Sequence, residues 1–261
     1  MPGELDRLMA PQAVPEKIAG GFGLAQGPVF SRRGYLLFSD RAASRIMKWE
    51  QGKVSVFLEN RTGSSGLTFD HQGRLIACER ERVTRTEKDG RITVLADGHY
   101  APNDVVYAID GSIYFSSIAS TRGSSAIHQI TRNGEVRVAA RDCELPGGVA
   151  LAPNQQKLYA ADTEGRKIWV FEIVGDGALR GGRVFAAARA SGLKTDEMGN
   201  VWAADQHSMA VFDPHGQRLG EIPMPEDPGN CAWGDGFRNL YVTAKSSVYR
   251  IETKVNGTRT Y

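Results

Sequence analysis

One short phrase recurs six times along this 261-residue chain, and the repeat limits the possible folds more than any other feature. Each copy runs from a small or polar residue into a short apolar strand, then a turn containing Gly or Asn, then a second apolar strand. The copies begin at residues 26, 65, 103, 147, 191 and 230, a spacing of 38 to 44 residues. Periods of this length are typical of solenoids and propellers, in which each repeat buries its apolar face against the next.

The local pattern favours strands over helices. Turns such as "DHQGR" and "DEMGN" carry residues that adopt the positive φ of a hairpin. The flanking runs "LLF", "SIYF" and "NVWAA" are short and rich in strand-forming residues. We therefore predict an all-β fold, a six-bladed β-propeller with four-stranded antiparallel blades, built as a single domain from residues 1–261.

The N-terminal residues have a predicted place in this fold. Residues 13–19, "AVPEKIA", could supply an N-terminal strand closing the last blade, which would remove an exposed sheet edge. Residues 1–12 are expected to form a loose extension. They lack the basic patch and apolar core of a signal peptide, and no run approaches the roughly 20 apolar residues of a membrane span. We therefore expect a cytoplasmic protein without a membrane partner.

Composition narrows the expected partners to small molecules. The 32 basic and 30 acidic residues give a net charge of +2, and the basic residues are scattered rather than gathered into a stripe that would bind nucleic acid. The three cysteines are widely separated and form no C-x-x-C pair, which favours reduced thiols. We expect a small-molecule substrate, no nucleic acid partner, and a monomer or small homo-oligomer.

Propeller geometry places the first residue of each copy in a ring around the central channel, at one face of the disc. All six members of this ring are uncharged: Gln26, Ser65, Asn103, Gly147, Ser191 and Asn230. We predict that the five with side chains contact substrate. Such a ring offers hydrogen bonds but no formal charge.

Several phrases carry a family resemblance that covers residues 20–252. They are "QGPVF", "GLTFDHQGRLIACERERVTRTEKDGRITVLADG", "PNDVVYAIDGSIYF", "VALAPNQQKLYAADT" and "GLKTDEMGNVW". They resemble the gluconolactonase family, which includes regucalcin (senescence marker protein) and luciferin-regenerating-enzyme-like proteins. The resemblance implies a six-bladed propeller that holds a divalent cation, often calcium or zinc, on the channel axis and hydrolyses lactones or similar esters.

The ligand positions that the resemblance implies are mostly altered. The family's glutamate falls on Gln26, and one of its asparagines is retained as Asn103. A second asparagine falls on Gly147, and two aspartates fall on Ser117 and Ser191. Hard cations are held largely by carboxylates. We therefore predict no metal cofactor; a weakly bound divalent cation is the alternative, with Gln26 and Asn103 as its ligands.

Three residues are candidates for acid–base catalysis. Asp104 follows Asn103 and could be a general acid or base near the pocket floor, or a structural aspartate bonded to backbone amides. Asp205 and His207 are two residues apart and would share a face of an extended segment, where the carboxylate could orient the imidazole as a proton shuttle. The alternative for His207 is a surface loop.

Other residues are candidates for substrate binding near the mouth. Tyr100 and His99 lie in a short loop before Asn103 and could overhang the pocket. Glu79 and Arg80 belong to the alternating run "CERERV", which could point a charge inward or form a solvated ion-pair strand.

Two further predictions concern tryptophan and serine. The tryptophans are expected to pack between blades, and Trp233, beside Asn230, is the one most suited to floor an apolar pocket. Ser117, at the altered aspartate position, is a further candidate contact. Nucleophilic roles for Ser65 and Ser191 are disfavoured because "SSG" and "ASG" lack the G-x-S-x-G elbow.

Three functions from different classes follow. The first is a metal-independent enzyme of lactonase lineage that uses acid–base residues on a small cyclic or carbonyl compound. Its reaction would be of isomerase, cyclase or lyase type, as in the tailoring of natural products. The second is a lactone or ester hydrolase with an atypical metal site. The third is a non-catalytic propeller that binds a small molecule.

Overall fold

Six four-stranded antiparallel sheets surround a central axis in the computed structural model, which describes residues 3–59, 61, 63–98, 100–118 and 124–258. This confirms the predicted six-bladed β-propeller. Within those ranges no helix has the length and apolar character needed to cross a membrane.

The strands follow the chain blade by blade, each blade running from the axis outward. Blade 1 comprises β2 (Ala25–Ser31), β3 (Tyr35–Asp40), β4 (Arg45–Glu50) and β5 (Lys53–Leu58). Blade 2 comprises β6 (Leu67–Phe69), β7 (Leu75–Cys78), β8 (Arg82–Thr86) and β9 (Ile92–Asp97). Blade 3 comprises β10 (Pro102–Tyr107), β11 (Ile113–Ser117), β12 (Ala126–Ile130) and β13 (Val136–Ala140). Blade 4 comprises β14 (Pro146–Leu151), β15 (Lys157–Asp162), β16 (Lys167–Val174) and β17 (Ala178–Ala187). Blade 5 comprises β18 (Ala190–Thr195), β19 (Val201–Asp205), β20 (Ser208–Phe212) and β21 (Arg218–Pro223). Blade 6 comprises β22 (Pro228–Gly234), β23 (Asn239–Ala244), β24 (Ser247–Glu252) and the N-terminal β1 (Glu16–Gly20).

The N-terminal strand closes the ring, as predicted. β1 pairs antiparallel with β24, from Glu16 opposite Arg250 to Gly20 opposite Ser247. Arg250 donates to the Glu16 carboxylate at 2.5 Å across this pair. Blade 6 therefore combines the two ends of the chain in one sheet.

The described residues before β1, residues 3–15, pack more closely on the propeller than the expected loose extension. A short 3-10 helix, Leu5–Arg7, leads to Leu8 and Met9, which are buried in the apolar cluster between blades 5 and 6. The Lys254 N–H donates to the Leu8 carbonyl at 2.8 Å, and Met9 forms a bridge with Thr253. Apolar side chains at residues 8 and 9 explain the difference, because their burial offsets the entropy of ordering the segment.

The core is divided among the contacts between neighbouring blades. Each of the six described apolar clusters joins two adjacent blades. The contact between blades 5 and 6 buries Trp202 completely and sets it edge-on to Trp233 at 5.3 Å between ring centroids. Because every blade packs on two neighbours, the inner strands are held in fixed positions around the axis.

A repeated irregularity sets the direction of the ring side chains. In the described residues, the inner strands of blades 1, 3, 4, 5 and 6 each shift register against the second strand near the ring position. The shift in β2 falls between Gln26 and Val29. Bulges of this kind re-aim a side chain and bend the strand. They turn the ring residues toward the mouth face, the face at which the inner strands begin.

Glycine beside the ring lets the inner strands approach one another. Gly27 has φ +48°, and a Cβ there would lie 1.9 Å from the Ser65 carbonyl oxygen. A Cβ on Gly192 would lie 2.3 Å from Asn230 Oδ1. Neither distance leaves room for a side chain, so the close packing of the channel wall requires glycine at both positions.

Aspartates at the ends of second strands anchor the loops of the mouth face. Asp40, Asp162 and Asp205 each end a second strand and accept hydrogen bonds from backbone N–H groups in the connection that leads into the same blade. The donors are Gly23 and Leu24 to Asp40, Glu144 and Leu145 to Asp162, and Arg189 to Asp205, at 3.0 to 3.2 Å. These aspartates fix the shape of the mouth.

Candidate functional site

The ring residues meet at a cavity of about 150 Å³ on the mouth face, called here the mouth cavity. Its walls come from all blades except the second. They are formed by Gln26, Arg41, Asn103, Ile118, Leu145, Pro146, Gly147, Gly148, Thr163, Ser191, Gly229 and Asn230. Five of the six predicted ring positions therefore lie around one space.

The polar side chains of the mouth cavity have unused hydrogen-bonding groups. Among the described residues, the side chains of Gln26, Asn103 and Ser191 have no hydrogen-bond partner in the protein. Asn230 is buried, and its Oδ1 accepts from the Cys231 N–H at 2.8 Å, which fixes the amide orientation. The Asn230 Nδ2 is left as a donor. Polar groups gathered around a cavity in this way are suited to bind a polar ligand.

Arg41 adds a positive charge that the sequence analysis missed. It follows the loop-anchoring Asp40, and its N–H donates to the Leu24 carbonyl at 2.9 Å. Its guanidinium is exposed at the mouth cavity, and no carboxylate of the described chain lies within ion-pair distance of it. The only sequence signal was its position directly after a second strand.

The mouth cavity does not fit the divalent cation that the family resemblance implies. The side chains that could bind a cation there are neutral amides and hydroxyls, and the one charged side chain of the described walls is the positive Arg41. The Asn230 oxygen is already used by the Cys231 N–H. Within the described ranges, no cluster of three or more His, Cys, Asp or Glu residues has the arrangement to hold a metal. A dication there would lose hydration without gaining carboxylate ligands, so we derive no step through a metal.

Ser65 is the ring member that the structure separates from the others. It precedes β6, is buried, and donates from Oγ to the Pro102 carbonyl at 3.3 Å. The inner strand of blade 2 begins later than the repeat suggested. The Ser65 hydroxyl therefore joins blade 2 to blade 3 instead of contacting the mouth cavity.

Ser117 forms a buried pair with a histidine that was not predicted. Its Oγ lies 2.9 Å from His128 Nε2, between β11 and β12 of blade 3. Burial lowers the pKa of His128 to about 4, with a further contribution from nearby Arg141. The imidazole also stacks on Phe115, with 4.9 Å between ring centroids. The register that places Ser117 opposite Ala126 brings His128 diagonally beside it, and this register could not be read from the sequence.

Tyr100 packs on this pair rather than overhanging the mouth cavity. Its ring is edge-on to His128 at 4.8 Å and to Phe115 at 5.5 Å. It therefore belongs to the packing between blades 2 and 3. The other predicted residue of this loop, His99, lies outside the described residues.

Asp104 is buried and makes contacts of the kind expected for a structural aspartate. It is 2% exposed, its Oδ2 accepts from the Val149 N–H at 3.1 Å, and the ammonium of Lys194 lies 3.9 Å from the same oxygen. Asp104 is absent from the walls of the mouth cavity, and Lys194 lines a separate cavity of about 60 Å³ deeper in the channel. The carboxylate links blades 3, 4 and 5.

The predicted pairing of Asp205 with His207 is wrong, because the segment is not extended. Asp205 pairs with Ser208 across a two-residue hairpin, and Gln206 in that turn has φ +49°. His207 is exposed and contacts the Asp227 carboxylate rather than Asp205, and Asp227 also pairs with Lys245 at 2.7 Å. Asp205 and His207 nevertheless both line one pocket between blades 4 and 5. Asp205 instead anchors the Arg189 N–H and pairs with Arg218 at 3.5 Å.

Glu79 and Arg80 differ in their surroundings. Glu79 is 2% exposed and is held by an ion pair with buried Arg61 and by Arg82 Nε at 2.8 Å. This cluster fixes the loop between blades 1 and 2, so Glu79 presents no free carboxylate to a ligand. Arg80 is exposed at the edge of the same turn and does not line the mouth cavity.

Trp233 lies beyond the mouth cavity and lines a separate, mainly apolar cavity. It packs in the core between blades 5 and 6 and lines the deeper cavity together with Lys194. It is three residues into β22 from Asn230, so the strand carries it away from the mouth face. The described cysteines are free and buried, and burial raises the pKa of each thiol, to about 12 for Cys231.

Known proteins share both sequence and fold with this chain. A gluconolactonase of Zymomonas mobilis is 25% identical over 307 aligned positions, covering 97% of this chain and 85% of its own. A crystal structure of a gluconolactonase from Xanthomonas campestris is 26% identical, with a TM-score of 0.84 and coverage of 94% and 99% of the two chains. Regucalcin of Agrobacterium tumefaciens, a calcium-binding protein, shares the fold at 15% identity with a TM-score of 0.83, over 94% of this chain and 95% of its own.

The family model described as the SMP-30/Gluconolactonase/LRE-like region matches residues 24–246. This range includes all six inner strands and every ring position. The resemblance found in the sequence is thus confirmed. The chain belongs to the SMP-30/gluconolactonase/LRE-like family.

Proposed function

We propose that this protein is an enzyme of lactonase lineage that acts on a small cyclic or carbonyl compound without a divalent cation. The observation that carries the proposal is the set of unused polar groups around the mouth cavity, at the positions where the family resemblance implies metal ligands. Amide and hydroxyl donors with a guanidinium can polarise a carbonyl oxygen as charge develops on it. The family relatives support a substrate of lactone type.

The chemistry assigned to the site is orientation and polarisation of the carbonyl group. The donors available are Gln26 Nε2, Asn103 Nδ2, Asn230 Nδ2 and the Arg41 guanidinium. A carbonyl held by two or more of these donors is activated for isomerisation, cyclisation or elimination, steps whose barriers fall when the reacting groups are held in place. None of Asp104, Asp205 and His207 lines the described walls of the mouth cavity.

A second candidate function is binding of a small molecule without catalysis. One observation favours it: Arg41 is the only ionisable side chain among the described residues of the cavity wall. General acid–base catalysis requires a group within hydrogen-bonding reach of the transferred proton. A bound substrate or an ordered water would have to supply that group in the enzyme.

A panel of five- and six-membered lactones, including gluconolactone, tests both functions. Conversion and binding are measured with a chelator and with added Ca²⁺ or Zn²⁺. We expect turnover or binding that the chelator leaves unchanged, and a loss of at least about tenfold in Asn103→Ala and Gln26→Ala. Gln217→Ala, an exposed position on the opposite face, is the matched control.

Each outcome of this panel has a defined meaning. Activity that appears only with Ca²⁺ or Zn²⁺ would contradict the proposal and favour a hydrolase with an atypical metal site. Binding without turnover of any compound would favour the non-catalytic function. Turnover insensitive to Gln26 and Asn103 would place the reaction outside the mouth cavity.

A further inference from the structure

A second and larger pocket opens on the mouth face between blades 4 and 5. It has a volume of about 550 Å³, within the range of small-molecule sites. We call it the rim pocket; the residues that matter for its chemistry are Arg166, Ala188, Arg189, Asp205, Arg218 and Glu221. None of these residues lines the mouth cavity.

Small residues and fixed loops create this space. Ala187, Ala188 and Pro223 contribute short side chains to its walls. The Ala188 N–H donates to the Arg166 carbonyl at 3.2 Å, and the Arg189 N–H donates to Asp205 Oδ1 at 3.0 Å. The connection between the two blades is therefore held by the β15–β16 turn, which carries Arg166, and by Asp205, which fixes the backbone of Arg189.

The charges of the rim pocket do not balance. Arg218 pairs with both carboxylates, at 3.5 Å to Asp205 Oδ2 and 2.5 Å to Glu221 Oε2. Ser208 Oγ also donates to Glu221 Oε2, at 3.2 Å. Arg166 and Arg189 are exposed and have no carboxylate partner within the described residues. Two guanidinium groups are thus left facing one pocket.

We propose that the rim pocket binds a small organic anion that carries carboxylate or phosphate groups. Guanidinium groups bind both kinds of anion through paired N–H donors, and two of them on one pocket favour a ligand with more than one negative charge. Arg218 offsets one of the two negative charges of Asp205 and Glu221, and Arg166 and Arg189 leave the charged lining of the pocket with three arginines against two carboxylates. This site is distinct from the mouth cavity and independent of the proposed reaction.

Calorimetric titration of the whole protein at low salt with citrate and, separately, inorganic phosphate tests this proposal. We expect at least one of the anions to bind, and the double variant Arg166→Gln/Arg189→Gln to weaken that binding at least tenfold. Arg132→Gln, an exposed arginine on the opposite face, is the control for loss of general positive charge. The preferred probe identifies carboxylate or phosphate as the recognised group.

Three results would overturn the proposal. They are the absence of binding by the unmodified protein, equal weakening in the double variant and in Arg132→Gln, and loss of binding in Arg41→Gln instead. The last result would place the anion in the mouth cavity. Thermal melts of each variant without ligand distinguish weakened binding from misfolding.

Discussion

Ser117 Oγ and His128 Nε2 lie 2.9 Å apart inside blade 3, where the family resemblance implies an aspartate in place of the serine. Both side chains are buried, and Tyr100 covers the imidazole. Since burial holds the pKa of His128 at about 4, the imidazole is neutral at pH 7. The pair is therefore a neutral hydrogen bond that contributes to packing between blades 2 and 3.

This pair predicts an acid-sensitive step in stability. The pKa of a histidine in the unfolded chain is near 6.5, whereas that of His128 in the folded protein is about 4. Between these two pH values the unfolded chain is protonated at this position and the folded chain is not, so protonation favours unfolding. Stability is expected to fall across that window by on the order of 1–3 kcal/mol. Urea unfolding as a function of pH should show a smaller decline in His128→Gln, whereas His215→Gln, at an exposed site, should behave like the unmodified protein.

Glu226, which accepts hydrogen bonds from blade 6, predicts a different dependence of stability on pH. Burial opposes its ionisation, but donors from Ser247 Oγ, the Ser246 N–H and Tyr249 outweigh burial and lower its pKa to about 2. The unfolded pKa is about 4.3, so its contribution is complete above that pH and is lost as pH falls toward 2. Glu226→Gln should be destabilised at pH 7, and the difference should shrink below about pH 4.

The control for this experiment is Glu252→Gln, an exposed carboxylate in the same blade. It should change the free energy of unfolding by less than about 0.5 kcal/mol at pH 7. A Glu226→Gln variant as stable as Glu252→Gln would contradict the assigned role.

Asp104 is expected to act on stability rather than on catalysis. Asp104→Ala leaves Lys194 without its carboxylate and the Val149 N–H without its acceptor, a loss of about 3–5 kcal/mol in the free energy of unfolding. Asp104→Asn keeps an acceptor and should cost less. Replacing Lys194 by Met in the Asp104→Ala background should recover part of the loss. Unchanged stability with abolished activity would instead support the catalytic hypothesis.

The altered ring predicts that a cation site can be created. Gln26→Glu with Ser191→Asp adds two carboxylates to the mouth cavity beside Asn103. We expect Ca²⁺ to raise the melting temperature of this variant, with about 2.7 kcal/mol of stabilisation at a hundredfold excess over Kd, and to leave the unmodified protein unchanged. Gln217→Glu with Ser55→Asp adds the same charge at exposed sites and should not respond. An equal response of the unmodified protein would refute the account of the ring.

The fold could be predicted because six repeats carry the same strand and turn pattern, and each copy supports the others. The ring was predictable for the same reason, except at Ser65, where a three-residue inner strand starts two residues later. The positions of Asp205 and His207 do not follow from their spacing, because residues 206 and 207 form a two-residue turn rather than an extended segment. Arg41 lies in a turn outside the repeated phrase, and His128 is brought to Ser117 by strand register, so neither position followed from spacing.

The pairing of β1 with β24 also orders events during synthesis. β1 leaves the ribosome before the other strands of the described residues, and its partner β24 is the last of those strands to be made. Until then it remains an unpaired edge beside growing blades, a state in which nascent chains associate wrongly or need chaperones. A circularly permuted chain that begins at residue 25 and carries the first strand at its new C-terminus would bring these partners out together, and should aggregate less during cell-free synthesis.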